Sequence, residues 1–392
     1  MTDFEHYFDW AATSPSDKDI LRQALELTLD DWANPSSTHG AGKNAKALLE
    51  NARSQAALAL GVKAENVFFT SGGTESDHIA LLSVLNKPSK GTVLISSIEH
   101  PALREMGEEI KKAGCNVEYI PADKDGVITP EAVTALLTKD TLMVCVMAVN
   151  NETGVIQPVK EIAAAIQKWS EGKRKPKFHV DCVQAAGKIP FSLKDWGVDS
   201  AAFSAHKICG PRGTGILYLK DADKGLEPFL RGGGQEKGIR SGTENVFGAL
   251  AFAKCLTKYF ISEKNEKAFA SYQTQKKITE DFVKRLSELA GATIIPPSRL
   301  QKPDLFSPYV VQAAFKNIPG NVMLRALDSK GYYISTGSAC SSRKNNRPVL
   351  EAMHVDGPLR ETAVRFSFGP LTSPSAIEDL LKAVSEVNGT FN

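Results

Sequence analysis

Nowhere in the 392 residues do eighteen apolar residues run together, so the pattern of a membrane-crossing helix is missing. An excess of one charge is missing too. Lys plus Arg number 47 against 45 Asp plus Glu, and a formal net charge of +2 supplies no global field for nonspecific binding to nucleic acid or to an anionic membrane. Cysteine is sparse: Cys115, Cys145, Cys182, Cys209, Cys255 and Cys340 lack the close spacings of a zinc site and the density of a disulfide scaffold, so no metal site is expected and a cytoplasmic location is. The first ten residues hold three acids and no basic n-region, which predicts neither a secretory signal nor a transit peptide. Internal repeats and low-complexity linkers are absent as well. What is present, 42% hydrophobic and 23% charged residues, excludes disorder as the dominant state, and the length predicts two or three domains.

Short apolar runs recur from about residue 65 to 220, each followed by a turn or an amphipathic stretch. Strands are predicted at 67–70, 93–97, 117–120, 142–149, 178–180, 201–203 and 216–219. Several are continuously hydrophobic, as strands covered on both faces are, and helices are predicted between them at 75–85, 101–113, 130–138 and 159–169. The pattern predicts a central α/β domain with a largely parallel sheet and an antiparallel member near its end, where the connections shorten. Residues 16–60 read as two helical pieces broken at Asn34-Pro35-Ser36-Ser37, because proline disfavours helical geometry at the residue before it. Residues 244–292 read as helix-rich. Further strands are expected at 309–315, 332–335 and 363–368, and helices at 321–329 and 375–387. The expected division is an N-terminal segment 1–15, a large domain 16–259 and a smaller α+β domain 260–392.

Three segments carry the chemistry. Thr70-Ser71-Gly72-Gly73-Thr74-Glu75-Ser76 joins a strand to a helix, and its glycines, hydroxyls and exposed N–H groups suit a phosphate, although a capped helix start accounts for them equally. Neither the GxGxxG fingerprint nor a P-loop is present. Phe178-His179-Val180-Asp181-Cys182-Val183-Gln184 ends a buried strand in a carboxylate, which requires a cationic or protonated partner unless it caps a helix. In Ser204-Ala205-His206-Lys207-Ile208-Cys209-Gly210-Pro211, a strand ends in a hydroxyl, an imidazole and an amine held by a rigid turn. Lys207 beside an acid and a phosphate cradle is the equipment for pyridoxal phosphate: the lysine amine forms the Schiff base and Asp181 keeps the pyridine nitrogen protonated.

From Asn34-Pro35-Ser36-Ser37-Thr38-His39 to Ser367-Phe368-Gly369 the chain resembles the NifS and IscS cysteine desulfurases, which are class V, aminotransferase-like pyridoxal phosphate enzymes. The His206-Lys207 segment, Arg240-Ser241-Gly242-Thr243-Glu244-Asn245 and the small-residue run around Cys340 carry the resemblance. It implies the transferase fold type I of these enzymes, a large, mostly parallel seven-stranded sheet domain with a smaller α+β domain. It also implies Lys207 as the Schiff-base lysine and proton shuttle, Asp181 on the pyridine nitrogen, Gln184 on the ring oxygen and His100 stacked on the ring. Gly73, Thr74, Ser204 and His206 would hold the phosphate, with Thr243 donated by a second subunit of a homodimer. Asn151 and Arg365 would bind the carboxylate of L-cysteine, and Cys340 would take its sulfur as a persulfide. The basic run Arg343-Lys344-Asn345-Asn346-Arg347 resembles the longer loop that delivers sulfur to a protein acceptor, such as an iron-sulfur scaffold or a thiolation carrier, and reads equally as a solvated turn.

Two departures blur the subfamily. Phe368-Gly369-Pro370 stands where a further arginine is frequent, and Glu244-Asn245 where Leu-Pro is frequent. The competing readings are a selenocysteine lyase, another class V lyase or transaminase, or an inactive sulfur-assembly binding protein. Cys340 argues against a transaminase. The set of Lys207, Asp181, His100, Gln184 and Cys340 argues against an inactive protein.

Overall fold

The computed structural model describes residues 4–221, 226–337 and 347–391. Strands β1 (Val67–Thr70), β2 (Thr92–Ser96), β3 (Asn116–Ile120), β4 (Thr141–Cys145), β5 (Lys177–Asp181), β6 (Ser200–Ser204) and β7 (Gly215–Leu219) form one sheet in the order β1-β7-β6-β5-β4-β2-β3. From β3 to β6 the neighbours are parallel, whereas β7 runs antiparallel to both β6 and β1. The short connection 205–214 explains the reversal, because a parallel return needs a crossover of about a dozen residues or more.

Alternation along β2 shows why the strands read as continuous apolar runs. Val93 and Ile95 pack with Leu81, Leu103 and Ile110 on one face, while Leu94 packs with Val133 and Ile162 on the other. Only an edge strand escapes this double cover, and β3 accordingly leaves Asn116 and Tyr119 exposed while it buries Val117 and Ile120. A second sheet, β8 (Ala292–Ile295), β9 (Val310–Phe315) and β10 (Ala363–Ser367), is antiparallel in the order β10-β9-β8. Its core packs Phe282 edge-on against Phe366 and Phe368, with ring centroids 5.6 and 5.5 Å apart, and takes in Phe8 from the N-terminal segment. The expected α/β architecture, with a large mixed sheet and a smaller sheet-bearing part, is therefore present.

Some expected elements differ. Residues 332–335 form no strand, only isolated bridges from Tyr333 to Tyr7 and from Ser335 to Arg365, because the two residues pair with different neighbours, the N-terminal segment and β10, and no ladder of consecutive pairs forms. Strand β8 lies where helix was expected to be giving way. The run expected at 142–149 ends as a strand at Cys145, although Val146 and Ala148 still donate N–H bonds to the carbonyls of His179 and Asp181. No helix among the described residues is long and apolar enough to cross a membrane.

Candidate active site

Beyond the carboxyl ends of β2, β4, β5 and β6 the connections converge on a cavity of about 240 Å³, the position expected of a ligand site in an open α/β sheet. One wall is the turn from β1 into the helix Gly73–Leu82. Thr70 Oγ1 meets Ser76 Oγ at 2.8 Å, and Ser76 Oγ donates to the Gly72 carbonyl at 3.1 Å, which folds the turn tightly. A Cβ on Gly73 would stand 2.5 Å from Val183 Cγ2, so only glycine lets this backbone approach the loop after β5. The first N–H groups of a helix have no acceptor within it, and Gly73 and Thr74 line the cavity, so this wall can hold an anion.

Asp181 closes β5 and is buried, accepting an N–H from Val183 at 2.8 Å. Burial, and then the charge of Asp77, push its carboxyl up to about 8. Asp77 lines the same cavity and contacts buried His179 at 3.0 Å. Burial raises the Asp77 carboxyl well above its ordinary value and lowers the His179 imidazole to about 4, and the two are joined by this hydrogen bond. Two buried carboxyls facing one cavity create a demand for a cation there.

Lys207 ends a short 3-10 turn, Ala205–Lys207, that follows β6. Its Nζ donates to the carbonyls of Ala11 at 2.6 Å and Ala12 at 2.7 Å. The N-terminal segment thus passes directly over the candidate Schiff-base lysine. Ser367 N–H donates to Phe8 O and Ser14 N–H to His206 O, each at 2.8 Å, while Ala11 N–H reaches Ser367 Oγ at 3.0 Å. His206 Nδ1 lies 3.1 Å from Thr13 Oγ1, and burial followed by the charge of Lys207 lowers this imidazole to about 3. Gly369 makes room for the segment, because a Cβ there would fall 2.0 Å from Trp10 Cε3.

Arg365 lies on β10, 1% exposed, and donates to Asp9 Oδ1 at 2.6 Å and to the Asn151 carbonyl at 2.9 Å. Two buried atoms beside it, its own Nε and Asn151 Oδ1, have no hydrogen-bond partner among the described residues. A donor and an acceptor left open at a cavity wall suit a zwitterionic ligand. His100 caps the helix Pro101–Lys112, its Nδ1 accepting the Ala102 N–H at 3.1 Å. Burial, then Lys207 and Arg104, lower the imidazole to about 4, so it is neutral with its proton on Nε2.

Gly73, Thr74, His100, Asn151, Asp181, Gln184, Ser204, His206, Lys207 and Arg365, drawn from separate stretches of sequence, all line this one cavity. Thr243 is exposed and does not line it. Cys340 and the basic positions Arg343 and Lys344 lie outside the described residues. Arg347 is described, donating to the carbonyls of Thr336 and Ala363. Sequence reasoning missed Asp9, Ala11, Ala12, Asp77 and Met147. The alanines act through main-chain carbonyls and carry no side-chain signal, whereas Asp77, on the inner face of a helix that opens with two glycines and a threonine, carried one that could have been read.

Comparison with known proteins agrees with this geometry. The family model for aminotransferase class-V matches residues 6–380. A NifS/IcsS protein homolog of Lactobacillus delbrueckii subsp. bulgaricus is 37% identical over 390 residues, covering 98% of each chain. The mitochondrial cysteine desulfurase of Saccharomyces cerevisiae is 34% identical over 97% of this chain and 74% of its own. Among solved structures, a NifS-like protein superposes with a TM-score of 0.89 at 35% identity, covering 98% of this chain and 100% of that one. The apo cysteine desulfurase of Thermococcus onnurineus NA1 superposes at 0.83 with 25% identity, over 98% and 94% of the two chains. On its matched length, its fold and its convergent site, the chain belongs to the class V aminotransferase family and, within it, to the NifS/IscS-type cysteine desulfurases.

Proposed function

We propose that this chain is a homodimeric, pyridoxal phosphate-dependent cysteine desulfurase that converts L-cysteine to L-alanine and leaves the sulfur as a persulfide on Cys340. The observation that carries this reading is the convergence of Lys207, Asp181 and Arg365 on one cavity. The residues present fit the cofactor: the raised Asp181 carboxyl calls for a cation, as a protonated pyridine nitrogen would provide, and the close approach at Gly73 leaves backbone for a phosphate. Gly73, Thr74, Ser204 and His206 would hold the phosphate, joined by Thr243 of a second copy. Gln184 would meet the ring oxygen and His100 the ring face. When bound, pyridoxal phosphate serves as an electron sink that labilises bonds at the substrate's α- and β-carbons.

The chain's own groups do the rest. Asn151 and Arg365 supply an open acceptor and donor for the amino-acid ends of the substrate, and Asp9 steadies the guanidinium by its bond to Nη2. Lys207 supplies the amine among the residues lining the cavity and is the group to move protons there. His100 offers the Nε2 proton as a donor, since Nδ1 is engaged by the Ala102 N–H. In sulfur transfer the Cys340 thiolate attacks the substrate sulfur. The substrate C–S bond breaks, an S–S bond forms, and the carbon takes a proton, so L-cysteine plus thiol gives L-alanine plus persulfide.

Elimination among the other cysteines supports Cys340. The five described cysteines are all buried, and burial raises the thiols of Cys145, Cys182, Cys209 and Cys255, which disfavours the nucleophilic thiolate. A protein acceptor, such as an iron-sulfur scaffold or thiolation carrier, would then receive the sulfur. We also propose a domain boundary near residue 260, supported by Phe260 packing with the large-sheet core and Ile261 with the other.

The test is alanine formed from L-cysteine by the holoenzyme with a thiol acceptor, beside a Cys340→Ala variant that retains cofactor. Alanine from the parent and near-complete loss in the variant is the expected result. Absence of alanine from a cofactor-loaded parent sinks the proposal.

A further inference from the structure

Lys188 follows Gln184 by four residues in the run of turns after β5, and it is 4% exposed. Burial lowers its amine well below the usual lysine range, with Lys207 and Arg365 adding repulsion. A lysine buried beside Lys207 and Arg365 is disfavoured there, so an apolar residue of the same length would fold at least as well. Its Nζ donates to Gln184 Oε1, and its own carbonyl accepts from Ser307 Oγ at 3.3 Å.

The pairing with Gln184 has a directional consequence. A glutamine amide presents an oxygen at one end and two N–H donors at the other, and Lys188 Nζ donates to the oxygen end. Lys188 therefore turns the amide so that Oε1 faces away from the cavity and Nε2 faces into it. One Nε2 hydrogen goes to the Ala11 carbonyl at 2.9 Å, the same oxygen that accepts from Lys207. The other is left for an acceptor in the cavity. If the lysine were lost, the amide could flip and present its carbonyl oxygen instead.

We infer that Lys188 is a positioning residue, which locks the Gln184 amide so that an N–H, never the carbonyl oxygen, meets the ring oxygen of bound pyridoxal phosphate. The inference rests on the cofactor reading of the site given above. An N–H donated to the ring oxygen stabilises negative charge on it and so favours the deprotonated, more anionic form of the bound chromophore. Losing that N–H raises the pH at which the visible absorption of the bound cofactor titrates. The other groups facing that chromophore, Asp77, His100, Asp181, His206, Lys207 and Arg365, are common to all variants, so the comparison isolates Lys188.

The experiment is a pH titration of the visible absorption of four holoenzymes and a double variant: parent, Lys188→Met, Lys188→Arg, Gln184→Leu, and Lys188→Met with Gln184→Leu. Lys188→Met is expected to raise the midpoint by roughly one pH unit, and Lys188→Arg, which keeps a donor facing Gln184 Oε1, to leave it within about 0.3. In the Gln184→Leu background the same Met substitution is expected to add much less, because the amide it acts through is gone. Lys188→Ala, which leaves room for water, gives a second route to the same readout if the Met variant does not fold. A parent-like midpoint in Lys188→Met or Lys188→Ala overturns the inference, as do shifts that simply add in the double variant. A parent that takes up the cofactor with no visible band dependent on Lys207 overturns the cofactor reading and the inference with it. A normal Lys207-dependent band with unmoved Lys188 variants overturns the inference alone.

Discussion

Replacing Asp181 by asparagine should make the cofactor-free protein more stable, by an amount that grows with pH. The carboxyl is 5% exposed, and burial followed by the neighbouring Asp77 charge moves it from 3.8 to about 8. In the unfolded chain it ionises in the ordinary range. Between about pH 4 and about pH 8 the folded state therefore holds a proton that the unfolded state has lost. Linkage then makes stability fall as pH rises through that window, with no loss below it and no further loss above it. One proton corresponds to about 1.4 kcal/mol per pH unit, which amounts to roughly 2 kcal/mol at pH 5 and roughly 4 kcal/mol at pH 7 as upper figures, since Asp77 shares the site and takes up part of the effect. Asparagine has no proton to lose. Urea unfolding of cofactor-free parent and Asp181→Asn across this range should show the variant's advantage widening with pH. Added pyridoxal phosphate should restore the parent more than the variant, because only the carboxylate can pair with a ring cation. Parallel pH profiles, separated by a constant gap, would refute the reasoning.

Gly73→Ala forces a Cβ to within 2.5 Å of Val183 Cγ2 and should weaken pyridoxal phosphate binding by about tenfold or more, read by fluorescence titration, with little change in the secondary structure seen by circular dichroism. Arg365→Lys loses the fork that can hold a carboxylate while meeting Asp9, and the KM for L-cysteine should rise by roughly 30-fold with a smaller change in kcat; an unchanged KM would remove Arg365 from substrate binding. Arg53 donates from Nη1 and Nη2 to the two oxygens of Glu236 at 2.7 Å each, and Glu236 also accepts the Phe69 N–H at 2.8 Å. Glu236→Gln leaves the guanidinium with half-exposed Glu50 and the Val67 carbonyl, and should cost about 2 kcal/mol, measured as a lower urea midpoint at unchanged slope.

Much of the large sheet could be read from sequence because its strands are buried on both faces and stand out as apolar runs between turn signals. The reversal at β7 was legible from the short connection before it. Strand β8 was not, since Ala292 and Thr293 are only partly buried and follow a long helix-rich stretch. The candidate site was legible where chemistry sits in unusual side chains at strand ends, as with Asp181 and Lys207. It was illegible where the main chain supplies the contact, as at Ala11 and Ala12. Lys188 falls between these cases: a lysine in Ala185-Ala186-Gly187-Lys188-Ile189-Pro190 looks like a surface charge until the fold buries it.

The N-terminal segment also bears on the order of synthesis. Ala11 N–H reaches Ser367 Oγ across 356 residues of chain, so the strap over Lys207 leaves the ribosome long before its anchor on β10 exists. At about 5–20 residues per second, roughly 20–70 s separate the two. Until then the carbonyls that meet Lys207 have nothing on β10 to hold them, and the guanidinium that Asp9 steadies has not been made. A nascent chain can build the large sheet but not a finished pocket, so the closed site belongs to the released polypeptide.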